Sequence, residues 1–148
     1  MPTDRIEREI IIDAPRDRVW AALTEPGHLC RWFGDSAEVD LTPGGKAAFG
    51  WSEYQATHHA VIELVEPPGF LSYRWARPAG AAVNPGNSTV VAFTLTEAES
   101  GGTRLTVAET GFTSLDGGQD ERGTAVQENT EGWRKELSEL KAYAEMLN

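Results

Sequence analysis

The stretch AVQENTEGWRKELSELKAYAEML, residues 125–147, decides the fold. Val126, Thr130, Trp133, Leu137, Leu140, Ala144 and Leu147 recur alternately four and three residues apart, which places them on one face of a helix. Opposite them stand Glu131, Lys135, Glu139, Lys141 and Glu145, whose i,i+4 pairs Glu131/Lys135, Lys135/Glu139 and Lys141/Glu145 suit a solvated surface. A long amphipathic helix needs a cover for its apolar face. The upstream chain offers mostly short alternating segments, so the expected cover is a curved antiparallel sheet.

Those segments are legible in order. Ile10 and Ile12 share one face of a first strand and Ile11 takes the other. Pro15 opens a short helix with Val19, Trp20 and Leu23 on its apolar side, and Thr24 stands as the N-cap of a second short helix ending around Trp32-Phe33-Gly34. Period two then takes over. Val39 and Leu41 alternate with acidic residues, Pro43-Gly44-Gly45 turns the chain, and Ala47, Phe49 and Trp51 share a face. His58 to Glu66 is a strand stopped by Pro67-Pro68-Gly69, and Leu71, Tyr73 and Trp75 alternate with Ser72, Arg74 and Ala76. Arg77 to Asn87 reads as an exposed loop. Val91, Phe93 and Leu95 mark a further strand, Leu105, Val107 and Glu109 another, and the Gly-rich acidic stretch from Phe112 to Gly123 leads into the long helix. Strands and helices segregated in this way indicate an α+β domain, with all 148 residues in a single domain.

Composition narrows the partners. Forty per cent hydrophobic residues and five Trp argue against disorder, and no apolar run approaches the roughly 18 residues of a membrane span, so no membrane insertion is expected. The N-terminal charges sit where a signal peptide needs its apolar core, which makes cytoplasmic residence the expectation. A net charge of −10 without a cluster of Lys and Arg speaks against nucleic acid. Cys30, the single cysteine, reads as a small filler. The sequence assigns no cofactor, no metal site and no catalytic residue: HExxH, CxxC and nucleophile-elbow patterns are missing, and Gly44-Gly45-Lys46 is a turn opening a strand.

Several short motifs, spanning nearly the whole chain, together resemble the helix-grip (SRPBCC) superfamily that includes the birch pollen allergen and the START lipid-transfer domains. They are Ala14-Pro15 with Val19-Trp20-Ala21-Ala22-Leu23-Thr24, His28-Leu29-Cys30-Arg31-Trp32-Phe33, Gly44-Gly45-Lys46, Glu66-Pro67-Pro68, Gly101-Gly102-Thr103-Arg104-Leu105, and Glu131-Gly132-Trp133 followed by Leu137 and Leu140. Within the superfamily the chain is most similar to the group named after the activator homologue of heat-shock protein 90 ATPase. That resemblance implies a seven-stranded antiparallel sheet curled around the C-terminal helix, two short helices after the first strand, and a cavity between sheet and helix.

On such a fold, alternation sends Trp51, Tyr73, Trp75, Phe93 and Glu109 inward to meet Thr130 and Trp133. With Trp32 from the second helix, these are the candidate ligand-binding residues. The aliphatic residues beside them fill a core, whereas the Trp and Tyr side chains bring N–H and O–H groups that need partners. Glu109 leaves alternatives open. A regular strand aims its carboxylate inward, as a general base or to orient a polar ligand; a bulge would turn it to solvent, and a Tyr or Arg would simply satisfy it. Three functions remain. The first is a non-enzymatic protein that binds a small hydrophobic or aromatic molecule. The second is a cyclase- or hydrolase-type enzyme in the same cavity, using Glu109, Tyr73 or His58. The third is a cochaperone-like surface module, although no protein partner is indicated.

Overall fold

A computed structural model describes residues 4–147. Seven strands form one antiparallel sheet in the order β1-β7-β6-β5-β4-β3-β2. They are β1 (Arg5–Ile12), β2 (Ser36–Val39), β3 (Lys46–Trp51), β4 (Ala56–Glu66), β5 (Phe70–Ala76), β6 (Ser88–Glu97) and β7 (Thr103–Thr110). Helices α1 (Arg16–Thr24) and α2 (Pro26–Trp32) fill the connection from β1 to β2, and α3 (Gln119–Met146) closes the chain. Among the described residues no helix is long and apolar enough to cross a membrane.

The alternation of β5, β6 and β7 puts Leu71, Tyr73, Val91, Phe93, Leu95, Leu105 and Val107 into the core, where Leu137, Leu140 and Ala144 of α3 meet them. Burial of these side chains supplies most of the driving force for closing the sheet on the helix. The C-terminal half of α3 is tied to β1 and the residue after it. Lys141 Nζ donates to the Ile11 carbonyl at 2.7 Å and the Asp13 N–H donates to Glu145 Oε2 at 2.8 Å. Toward α2, His28 Nδ1 and the Tyr143 hydroxyl are 2.6 Å apart. Tyr143→Phe is therefore expected to lower stability by about 1 kcal/mol, read as a shift of the urea midpoint with an unchanged slope.

Several local expectations are corrected. The long helix starts at Gln119 rather than near Ala125, so Gly123 lies inside it and Leu147 is its C-cap. Asp120 and Glu121 complement the positive helix end, and the Glu121 carboxylate accepts the Gly118 N–H. These short-range contacts outweigh the helix-weakening glycine. Glu131 pairs with Arg134 at 2.7 Å instead of with Lys135, while Lys141 and Glu145 pair as expected at 2.6 Å. Glu25, not Thr24, is the N-cap of α2, with Pro26 in its first turn; the Thr24 hydroxyl donates back to the Trp20 carbonyl at 2.8 Å. Pro15 is the N-cap of α1, just outside the helix. β2 stops at Val39, leaving Leu41 beyond it. In β4 the pairing shifts between Ile62 and Leu64, so Ile62 is buried while Leu64 faces out.

Candidate functional site

The site forms where strands β3, β5 and β6 meet the middle of α3. Gly34 determines one wall. Its φ of +75° turns the chain sharply after α2, and a Cβ there would stand 2.3 Å from the Gly50 carbonyl oxygen. This close approach of two backbones directs Phe33 inward. Its ring lies 5.1 Å from that of Trp51 at 74°, 5.9 Å from Trp75 at 22°, and 6.0 Å from Trp133 at 11°. Trp75 and Trp133 are themselves 5.9 Å apart. Four aromatic side chains from α2's end, β3, β5 and α3 thus share one space.

Two cavities flank this cluster. The larger, about 300 Å³, is lined by Trp51, Tyr54, Ala56, His58, Trp75, Ala76, Arg77, Thr89 and Asn129. The smaller, about 130 Å³, is bounded by Phe33, Trp51, Trp75, Asn129, Gly132, Trp133 and Glu136. Trp51, Trp75 and Asn129 belong to both, so the two spaces adjoin across those three side chains.

Beneath them Glu109 is fully buried, at 0% exposure. Register accounts for its neighbours: Glu109 lies opposite Val91, and Thr89, two residues along β6, lies opposite Trp75. Oε2 accepts from Trp75 Nε1 at 3.0 Å and Thr89 Oγ1 at 2.5 Å; Oε1 accepts from Trp133 Nε1 at 2.8 Å. Asn129 Nδ2 bridges both oxygens at 3.0 and 2.9 Å. The Asn129 carbonyl oxygen in turn accepts from Arg77 Nη1 at 3.0 Å, which orients the amide, and Arg77 also pairs with Glu128. Among the described residues no cationic side chain bonds to the carboxylate. It is held by neutral donors, with a guanidinium one amide away. All four of its partners line a cavity, so the Glu109 carboxylate ties side chains of the cavity walls together.

The candidate ligand-binding residues separate into three groups. Trp51, Trp75 and Trp133 form the walls. Tyr73 and Phe93 lie behind them in the core, and burial, together with the charges of Glu109 and Glu136, pushes the Tyr73 phenol well above its ordinary value. Trp32 and Thr130 line neither cavity: Trp32 Nε1 donates to the Ala22 carbonyl at 2.7 Å, tying α2 to α1, and the Thr130 hydroxyl donates to the Val126 carbonyl at 2.7 Å within its own helix. The face of α3 turned to the cavities is Asn129, Gly132, Trp133 and Glu136.

Asn129 and Glu136 escaped sequence reasoning, as did Phe33. Their signal was spacing: they stand four residues before and three after Trp133, on its face of the helix. Glu136 is 9% exposed, and its Oε2 is buried without a hydrogen-bond partner. Burial, followed by the nearby Glu139 charge, raises its carboxyl to about 7 against the opposing pull of Lys135; the Trp51 indole also favours the charged form but makes no hydrogen bond of good geometry. His58 Nδ1 lies 3.2 Å from the Ala76 carbonyl, which assigns it the proton and leaves Nε2 free as an acceptor. His59 is exposed. Cys30 is half-buried, its thiol on the Gly27 carbonyl. Among the described residues no three His, Cys, Asp or Glu side chains converge as metal ligands.

A seven-stranded antiparallel sheet gripping a C-terminal helix, with cavities between the two, places the protein in the helix-grip class of the SRPBCC superfamily. The profile of the family described as "Activator of Hsp90 ATPase homolog 1-like protein" matches residues 13–145, and the chain belongs to that family. Among solved structures it is similar to DynU16, a protein in the dynemicin biosynthetic locus, with a TM-score of 0.78 and 27% identity over 98% of this chain; it spans only 48% of DynU16. CalU16 from Micromonospora echinospora superposes with a TM-score of 0.71 and 26% identity, covering 96% of this chain and 76% of CalU16. The Aha1 dimer from Colwellia psychrerythraea gives 0.78 at 17% identity, covering 97% and 98% of the two chains, a likeness of fold alone. No curated protein matches the sequence.

Proposed function

We propose that the protein binds a compact, mainly aromatic or hydrophobic small molecule in the adjoining cavities between sheet and α3. The observation that carries this reading is the Glu109 cluster. A buried carboxylate is costly to keep in a fold, and here its four partners, Trp75, Thr89, Asn129 and Trp133, all line the cavities. Such an arrangement holds large aromatic walls in place around empty space, as a preformed ligand site requires. The dynemicin biosynthetic locus of DynU16 is in keeping with a small-molecule ligand.

The same geometry favours binding over cyclase or hydrolase chemistry. A general base needs a lone pair directed at substrate, and the Glu109 oxygens are surrounded by protein donors. Neither Tyr73 nor His58 is bonded to it. Native mass spectrometry of the protein purified from cells, with a panel of small aromatics and fatty acids followed by Trp emission, tests the proposal. Because Trp51 and Trp75 wall both spaces, a bound aromatic is expected to shift or quench the emission. A protein that carries nothing, and whose emission ignores every compound, would overturn the binding reading.

A further inference from the structure

Glu136 is not explained by packing. A helix residue nine-tenths buried is ordinarily apolar or paired, yet this carboxylate borders the smaller cavity with Oε2 unpartnered. Around that cavity stand the rings of Phe33, Trp51, Trp75 and Trp133 and, among the described residues lining it, no basic side chain. Stacked and tilted aromatic faces attract cations through their quadrupoles, most strongly where water is excluded. An unpaired buried carboxylate beside them supplies the counter-charge.

We propose that the smaller cavity is a subsite for an organic ammonium group, held between the aromatic faces and the Glu136 carboxylate, so that the ligand is an arylalkylamine whose ring occupies the larger cavity. The inference rests on the binding reading above and names its ligand class. The larger cavity presents His58 and Arg77 beside aromatic walls, and so suits an uncharged ring better than a cation. The two adjoining volumes, about 300 and 130 Å³, match a ring and a short aminoalkyl arm in that order.

Ammonium binding requires the charged carboxylate, so it should release a proton where Glu136 is otherwise partly protonated. The charged or titratable groups around Glu136 among the described residues include Lys135 and Glu139 on its own helix, Arg31 and Asp35 at α2 and after it, Glu53 and Tyr54 after β3, and Tyr73 across the core. His58 and Arg77 border the adjoining space. The Glu136 contribution is therefore read as a difference between wild type and Glu136→Gln, which keeps every other group.

The test titrates 2-phenylethylamine, propylbenzene and 3-phenylpropionate against wild type and Glu136→Gln by calorimetry and Trp emission. The ammonium compound is expected to bind wild type about tenfold more tightly than propylbenzene, with the carboxylate weakest. Glu136→Gln should erase that preference. Wild-type affinity for the amine should rise from about pH 5.5 to about pH 8 more steeply than that of the variant. Equal binding of amine and propylbenzene to wild type, or an ammonium preference that survives Glu136→Gln, would overturn the ammonium subsite and leave the cavity reading intact. Failure of all three compounds to bind would overturn both.

Discussion

Replacing Glu109 with glutamine is expected to destabilise the protein by about 3 kcal/mol, a large part of the roughly 5–15 kcal/mol available to a domain of this kind. A neutral amide relieves the burial of a charge, which taken alone favours the variant. The hydrogen-bond inventory opposes it. Oε1 accepts from Trp133 and Asn129, Oε2 from Trp75, Thr89 and Asn129, and every nitrogen among these is a donor. Glutamine keeps one acceptor oxygen and turns an NH₂ toward the rest. If the oxygen stays at the Oε2 position, the Trp133 N–H meets another donor and both are left unsatisfied in the core, at about 1–3 kcal/mol each. Urea unfolding followed by Trp emission measures the loss, and Trp75 and Trp133 should change environment even in the folded baseline. An unchanged midpoint would mean that the four donors are satisfied without Glu109.

Glu136→Gln should have the opposite sign and a pH signature. The folded protein raises this carboxyl to about 7 from an ordinary 4.5. A group whose folded value is raised binds its proton more tightly in the native state, so its favourable contribution is complete below the unfolded value. That contribution fades as pH rises through the folded one. Relative to the glutamine variant, wild type should therefore lose about 2–3 kcal/mol between about pH 5 and about pH 8, with little further change above. Glutamine stays neutral throughout and avoids the buried charge. Paired urea titrations across that range provide the measurement. A constant difference between the two proteins would show that the Glu136 carboxylate is hydrated in solution.

Much of this arrangement could be read from spacing. The alternation of Leu71, Tyr73 and Trp75 and the parity of Leu105, Val107 and Glu109 depend only on the pleat, and they place Glu109 inward. The stripe through Trp133, Leu137, Leu140 and Ala144 follows from helical period in the same way. Misplacements arose where one residue changes the direction of a side chain. Thr130 and Asn129 differ by a single step around α3, and the step separates a hydroxyl bonded within its helix from an amide on the buried carboxylate. At β4 the shift after Ile62 sends Leu64 to solvent, a reversal that alternation alone does not contain. Trp32 and Phe33 are both buried, but the turn at Gly34 sends Phe33 to the smaller cavity while Trp32 bonds back to α1.

What the sequence determined by itself is the set of elements, their order and most of the side chains facing the core, because these follow from contacts between near neighbours along the chain. What the tertiary structure alone decided is the polar chemistry of the site. Phe33, Trp51, Trp75, Glu109, Asn129 and Glu136 come from four separate elements and the turn after α2, and only the closing of the sheet on α3 brings them around one space. On an isolated helix Asn129 and Glu136 look like solvent-facing polar residues. In the folded chain Asn129 is half-buried and Glu136 buried, leaving one carboxylate saturated with donors and one oxygen of the other without any.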